Sequence, residues 1–331
     1  MLKTFAMGGV HPPENKITAD RPIEVLPPPP VVFVPLSQHL GVPAQALVSK
    51  GDQVLTGQLI AKSAGFISAN IHAPVAGKVL KIDDVTDASG YRKKTIVIEN
   101  QGDQWEDGID TSDTFIKDCA LTPEEIARIV GEKGIVGMGG ATFPSHVKLM
   151  VPKGKTAEYL IINGVECEPC LTSDHRLMLE RTDEMLCGIS IQMKALNVKT
   201  AIIGIENNKP DAIARVRERL HEWPGISVEA LEVKYPQGAE KQLIKAVTGR
   251  EVPSGKLPIE VGCVVHNVGT AVAVYEAVQK NKPLVERVVT VMGKSLSRPS
   301  NFLVRTGTPV SALIEAAGGL PEDTAKLING G

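Results

Sequence analysis

The chain has 331 residues, 43% hydrophobic and 4% aromatic, with 38 acidic against 36 basic residues and a formal net charge of −2. Balanced, scattered charge argues against a nucleic-acid footprint, and so few aromatics leave little for a base-stacking or carbohydrate platform. No apolar run approaches the roughly 18 residues of a membrane span. Residues 1–5 lack a signal-peptide core, and five cysteines, an odd count, fit free thiols in a reduced compartment. The expectation is a cytoplasmic protein of two or three domains whose contact with any membrane is peripheral.

Residues 1–30 read as an N-terminal arm ending in the polyproline run 27–30, a stiff strap. Residues 31–100 read as an all-β module of short strands at 31–34, 53–55, 58–61, 78–82 and 95–98, broken by Gly, Pro and Asp. Lys50-Gly51-Asp52-Gln53-Val54, Gly57-Gln58-Leu59-Ile60 and the segment from His72 to Val79 resemble the barrel-sandwich fold of biotinyl and lipoyl carriers. Segment 63–69 has no lysine for a carrier tip, so the module is expected to be structural or docking, with Lys62 a surface residue.

After a linker at 101–122 the rhythm changes. Thr122 as N-cap, Pro123 at the first helical position and Glu124 and Glu125 in the first turn predict a helix over 123–130. A strand at 158–163, a helix over about 176–196, a strand at 200–205, a helix to 222 and a strand at 227–233 follow, so residues 123–285 predict a parallel sheet flanked by helices. Met185 and Met193 share the apolar face of the long helix with Leu177 and Ile189 and are expected in the core. Residues 286–331 carry strands at 287–293 and 303–305 and a helix beginning near Pro309.

Ligands of an open α/β sheet sit outside the carboxyl ends of its strands, and the candidate chemistry falls there. Gly137-Met138-Gly139-Gly140-Ala141-Thr142-Phe143-Pro144 puts three glycines in four residues, so its backbone can approach a phosphate or a flat ring. Alone, such a cluster is most simply a turn. Lys148 follows, then Asn163 at a strand end, then Glu166 and Glu168 in one loop. The order and spacing resemble the flavin-binding loop of the flavoprotein subunit of complex I, GxGGAGFPxxxK and then NxxExEP. Within that superfamily, Val10-His11-Pro12-Pro13-Glu14, Cys167-Glu168-Pro169, the segment from Lys234 to Leu243 and His266-Asn267-Val268-Gly269-Thr270 resemble the C-subunit family of the Rnf ion-translocating ferredoxin:NAD oxidoreductase complex.

That resemblance implies an α/β protein with all-β modules: an N-terminal barrel-sandwich hybrid, a central Rossmann-like FMN-binding domain and a C-terminal SLBB β-grasp domain. It implies FMN held by Gly137, Gly139, Gly140, Phe143, Lys148, Asn163, Gly238, Glu240 and Asn267, with NAD(H) as substrate and Glu166 or Glu168 positioning the nicotinamide. It implies a peripheral subunit at the cytoplasmic face of the cell membrane, partnered by the other membrane and peripheral subunits. The family's [4Fe-4S] clusters are held by C-x2-C-x2-C-x3-C-P motifs that this chain lacks, so it is expected to be truncated before them and to hold no metal itself. Ala239, Val165, Met138, Thr142 and Val151 depart from the complex I pattern and thin the NADH platform more than the flavin cradle. The pair Cys167 and Cys170 lacks a second pair to complete four zinc ligands. Two other readings stay open: a subunit of a sodium-pumping NADH:quinone reductase, and a cofactor-free docking module.

Overall fold

The computed structural model describes residues 2–87 and 89–330. The N-terminal arm is more than a strap, because it contributes β1 (Ile23–Val25) to a sheet at the far end of the chain. The β module that follows comprises β2 (Val31–Pro35), β3 (Gln45–Ala46), β4 (Gln53–Val54), β5 (Leu59–Lys62), β6 (Ile71–His72), β7 (Ala76–Thr86) and β8 (Arg92–Gly102). Its sheets, β2-β8-β7-β4 and β3-β5-β6, are antiparallel throughout. They share a core of Val32, Val34, Ile60, Val79, Ile96 and Ile98, inward positions of period-2 strands. Lys62 is exposed at the end of β5.

The central domain runs α1 (Pro123–Glu132), α2 (Ser145–Leu149), β9 (Tyr159–Asn163), α3 (Ser173–Glu180), α4 (Thr182–Leu196), β10 (Thr200–Glu206), α5 (Pro210–Arg219), β11 (Ile226–Leu231), α6 (Glu240–Thr248), β12 (Cys263–Asn267) and α7 (Val268–Lys280). Helix α1 begins as predicted, with Thr122 and Glu125 forming a reciprocal capping box. Strands β11-β10-β9-β12 form one parallel sheet. Leu160 and Ile162 face a core built from α1, α3, α4, α5 and α7, whereas Ile161 faces α6. Gly188 lets α4 lie directly against α7, since a Cβ there would fall 1.9 Å from the Ala271 carbonyl oxygen.

The single helix expected over 176–196 is two. Arg181 leaves helical geometry at φ −126°, ψ 39°, and its guanidinium bonds Glu184 and, from α7, Glu276. Tertiary ion pairing here overrides a local pattern that would otherwise continue. Met185 and Met193 are buried as expected.

The C-terminal module is β13 (Glu286–Val291), β14 (Ser300–Arg305) and α8 (Val310–Ala316). β13 and β14 are antiparallel, and β1 adds to β14 in parallel. The arm also crosses the central domain: Lys3 bridges to Leu231, Val10 to Tyr235, and the Cys170 N–H donates to the Glu14 carbonyl. Among the described residues no helix is long and apolar enough to cross a membrane.

Candidate cofactor site

The parallel sheet delivers its loops to one edge. Asn163 ends β9 and Asn267 ends β12, and the two are register partners on neighbouring strands. Segment 137–143 closes on itself through Gly137 N–H to the Phe143 carbonyl at 2.9 Å, and Val136 bridges to Pro144. The loop rests on the start of α7, where Met138 N–H donates to Thr270 Oγ1 at 3.0 Å. Gly139 lies against Asn267: a Cβ there would come within 2.6 Å of the amide nitrogen. A Cβ at Gly140 would meet nothing, and among the described residues no acceptor faces the N–H groups of Gly139, Gly140 and Ala141.

The other predicted residues join this cluster from two sides. Asn163 Nδ2 donates to the Gly238 carbonyl at 2.8 Å, and Gly238 N–H donates to Cys167 Sγ at 3.3 Å. Lys148 Nζ donates to Glu240 Oε1 and to the Val265 carbonyl, each at 2.9 Å. So Gly137, Gly139, Gly140, Lys148, Asn163, Gly238, Glu240 and Asn267 form one contiguous set. Phe143 contributes its carbonyl to the loop closure and leaves its ring half-buried. Val151 packs beside the main core, and the Met138 methyl reaches Gly269, so both departures from the complex I pattern serve packing.

The two glutamates differ sharply. Glu166 is buried, in the left-handed region at φ 48°. Its carboxylate accepts from the N–H groups of Asp174 at 2.7 Å and His175 at 3.2 Å and from the Ser173 hydroxyl at 3.3 Å, so it is spent on the N-terminus of α3. Glu168 is half-buried, with only Cys167 Sγ at 4.0 Å beside its carboxylate among the described residues. Of the pair, Glu168 is the one free to meet a ligand. Burial pushes the Cys167 thiol up to about 11, which keeps it protonated and inert. Among the described residues no group of three or more His, Cys, Asp or Glu could hold a metal ion.

Sequence reasoning missed the groups that brace these loops. Lys16 of the arm donates to the carbonyls of Glu166, Glu168 and Leu171 at 2.9, 3.1 and 2.7 Å. Lys209, fully buried, donates to the Val165 carbonyl at 2.7 Å and lies 3.6 Å from the buried Glu206. Burial lowers the pKa of Lys209, with Glu166 and Glu206 opposing, and raises that of Glu206. His266, part of the His266-to-Thr270 motif but given no role, is held neutral by burial, its pKa lowered to about 3, and its Nε2 has no partner among the described residues. Asp174 accepts from Asn267 Nδ2 at 2.6 Å. The one signal for Lys209 was its position in the loop after β10.

These features fit a flavin nucleotide. The unpaired N–H groups of the exposed Gly139, Gly140 and Ala141 lie beside the start of the 13-residue α7, a setting that favours an anion.

Comparison with known proteins finds three family models along the chain. Residues 3–103 match the RnfC barrel sandwich hybrid domain, 130–276 the Nuo51 FMN-binding domain and 288–331 the SLBB domain. The C subunit of the proton-translocating ferredoxin:NAD(+) oxidoreductase complex of Clostridium ljungdahlii is 50% identical over 333 residues, covering 100% of this chain and 72% of that protein. Its counterpart in the Na(+)-translocating complex of Acetobacterium woodii is 42% identical over 329 residues, covering 98% and 73%. The C subunit of the ion-translocating oxidoreductase complex of Rhodobacter capsulatus is 44% identical over 336 residues, covering 100% and 64%. An NAD+-reducing [NiFe]-hydrogenase crystal structure aligns with a TM-score of 0.52 at 22% identity over 59% of this chain and 39% of that one, a likeness of fold.

Proposed function

The chain belongs to the family of C subunits of ion-translocating ferredoxin:NAD(+) oxidoreductase complexes, and we propose that it binds FMN and NAD(H) there and exchanges electrons with iron-sulfur clusters. It works as a peripheral subunit on the cytoplasmic face of the membrane, docked on the other subunits. The ferredoxin:NAD(+) names of these relatives favour this reading over a quinone reductase. The observation that carries the flavin assignment is Gly140: open space where a side chain would be, beside unpaired N–H groups.

Gly137, Gly139 and Gly140 with the N-terminus of α7 would take the phosphate, and Lys148, Asn163, Gly238, Glu240, Asn267 and Phe143 would line the rest. Bound FMN supplies the conversion between two-electron hydride chemistry and one-electron transfer. The protein's part is positional. Asn163 and Gly238 hold two loops at a fixed distance, Lys16 and Lys209 fix the loop that carries Glu168, and Glu168 orients the nicotinamide.

Gly140→Val tests this. Its added carbons meet no protein atom at Cβ, so the fold should keep its melting temperature while FMN affinity falls at least a hundredfold in a fluorescence-quenching titration. Wild-type affinity in that variant would remove the assignment.

A further inference from the structure

Asn267 has no freedom to flip. Its Oδ1 accepts from Gly269 N–H at 2.8 Å, capping α7, and its Nδ2 donates to Asp174 Oδ2 at 2.6 Å. The backbone of Gly139 lies on that same nitrogen. On its other side the Asp174 N–H donates to Glu166 Oε1 at 2.7 Å. Asp174 therefore bridges the loop after β9 to the start of α7, and through Asn267 it meets the underside of the glycine loop.

We propose that Asp174 is a positioning acid of the flavin cradle: it sets the Asn267 amide on which Gly139 rests, and it takes up a proton from solvent when FMN binds. The inference rests on the flavin reading above. The charges acting most on Asp174 are Glu166 from the β9 loop, Arg287 from β13 and Lys209 just before α5, and Arg181, Glu276 and Glu286 line the same cavity. Burial first, then the Glu166 charge, push the Asp174 carboxyl up to about 7. A second anion arriving at the glycine loop adds a like charge and favours the protonated carboxyl further. By linkage, FMN affinity then falls as pH rises through the Asp174 value.

Asp174→Asn keeps an oxygen to accept from Asn267 and removes the titration. Calorimetric titration with FMN at pH 7.5, in two buffers of different ionisation enthalpy, should show roughly half a proton more taken up by wild type than by the variant. Between pH 6 and 9 wild type should lose about tenfold in affinity relative to Asp174→Asn, the equivalent of a one-unit shift. Asp174→Ala, which leaves the Asn267 donor unpaired, should bind about tenfold more weakly than Asp174→Asn at every pH. Equal proton counts and equal pH slopes in wild type and Asp174→Asn would overturn the proposal. Failure of wild type to bind FMN would instead remove the flavin reading. The Asn267 side-chain amide resonances of the ligand-free protein then decide about Asp174: they should titrate near pH 7 in wild type and stay flat in Asp174→Asn, and flat resonances in both defeat it.

Discussion

Lys148 Nζ and Glu240 Oε1 stand 2.9 Å apart, and the same ammonium reaches the Val265 carbonyl, so one cation ties α2 to the first turn of α6 and to β12. Both side chains keep part of their surface in solvent, 31% and 40%, so the pair adds at most about 1 kcal/mol to stability. Its value lies in holding a positive charge at the edge of the cradle.

Lys148→Met should therefore leave the melting temperature nearly unchanged. FMN affinity should fall about tenfold to a hundredfold, the range for losing one charge-assisted contact of roughly 1.5 to 3 kcal/mol. A quenching titration that returns wild-type affinity would remove Lys148 from the site.

Gly139→Ala should behave differently from Gly140→Val. Its Cβ would fall 2.6 Å from Asn267 Nδ2 and 2.9 Å from Cγ, pushing the amide off Asp174 and disturbing the α7 cap. Stability and FMN affinity should drop together. Thermal unfolding run beside FMN titration separates the two variants, and an unshifted melting temperature for Gly139→Ala would mean that the loop moves aside at no cost.

Glu168→Gln keeps the shape and removes the charge of the freer carboxylate. FMN content should stay near wild type while flavin reduction by NADH slows about tenfold to a hundredfold. Stopped-flow absorbance decides it. Loss of FMN together with the rate, or no loss of rate, would end the division between Glu168 and the glycine loop.

Lys209→Met strands the buried Glu206 carboxylate, which should destabilise the fold by roughly 3 to 5 kcal/mol. Adding Glu206→Gln removes the stranded charge and should restore part of the loss. Urea unfolding of the single and double variants measures the coupling, and strictly additive losses would show that the two residues do not act as a pair.

Much of this architecture is legible where local and global preferences agree. Thr122 and Glu125 announce the α1 cap, and the strand read at 158–163 places Asn163 at a carboxyl end, where ligands gather, whereas β12, which carries Asn267, goes unread. The misses have tertiary causes. The three residues of β1 carry no pattern until β14 lies beside them. Arg181 breaks a helix because Glu276 of α7 reaches it. Asp174 lies ahead of the helix read over about 176–196 and carries no signal of its own, and Glu166 reads as one of two loop glutamates that could face the nicotinamide. Only the approach of Asn267 to one, and of the α3 N-terminus to the other, gives them their work.

The partnership of β1 with β14 joins residues 23–25 to residues 301–303. On a ribosome the first of these emerges nearly 280 residues before its mate, and closing so long a loop is entropically costly until the intervening domain has condensed. Lys16, only seven residues before β1, is the clamp on the carbonyls of Glu166, Glu168 and Leu171. One arm therefore ties the far end of the chain to the loop that carries Glu168.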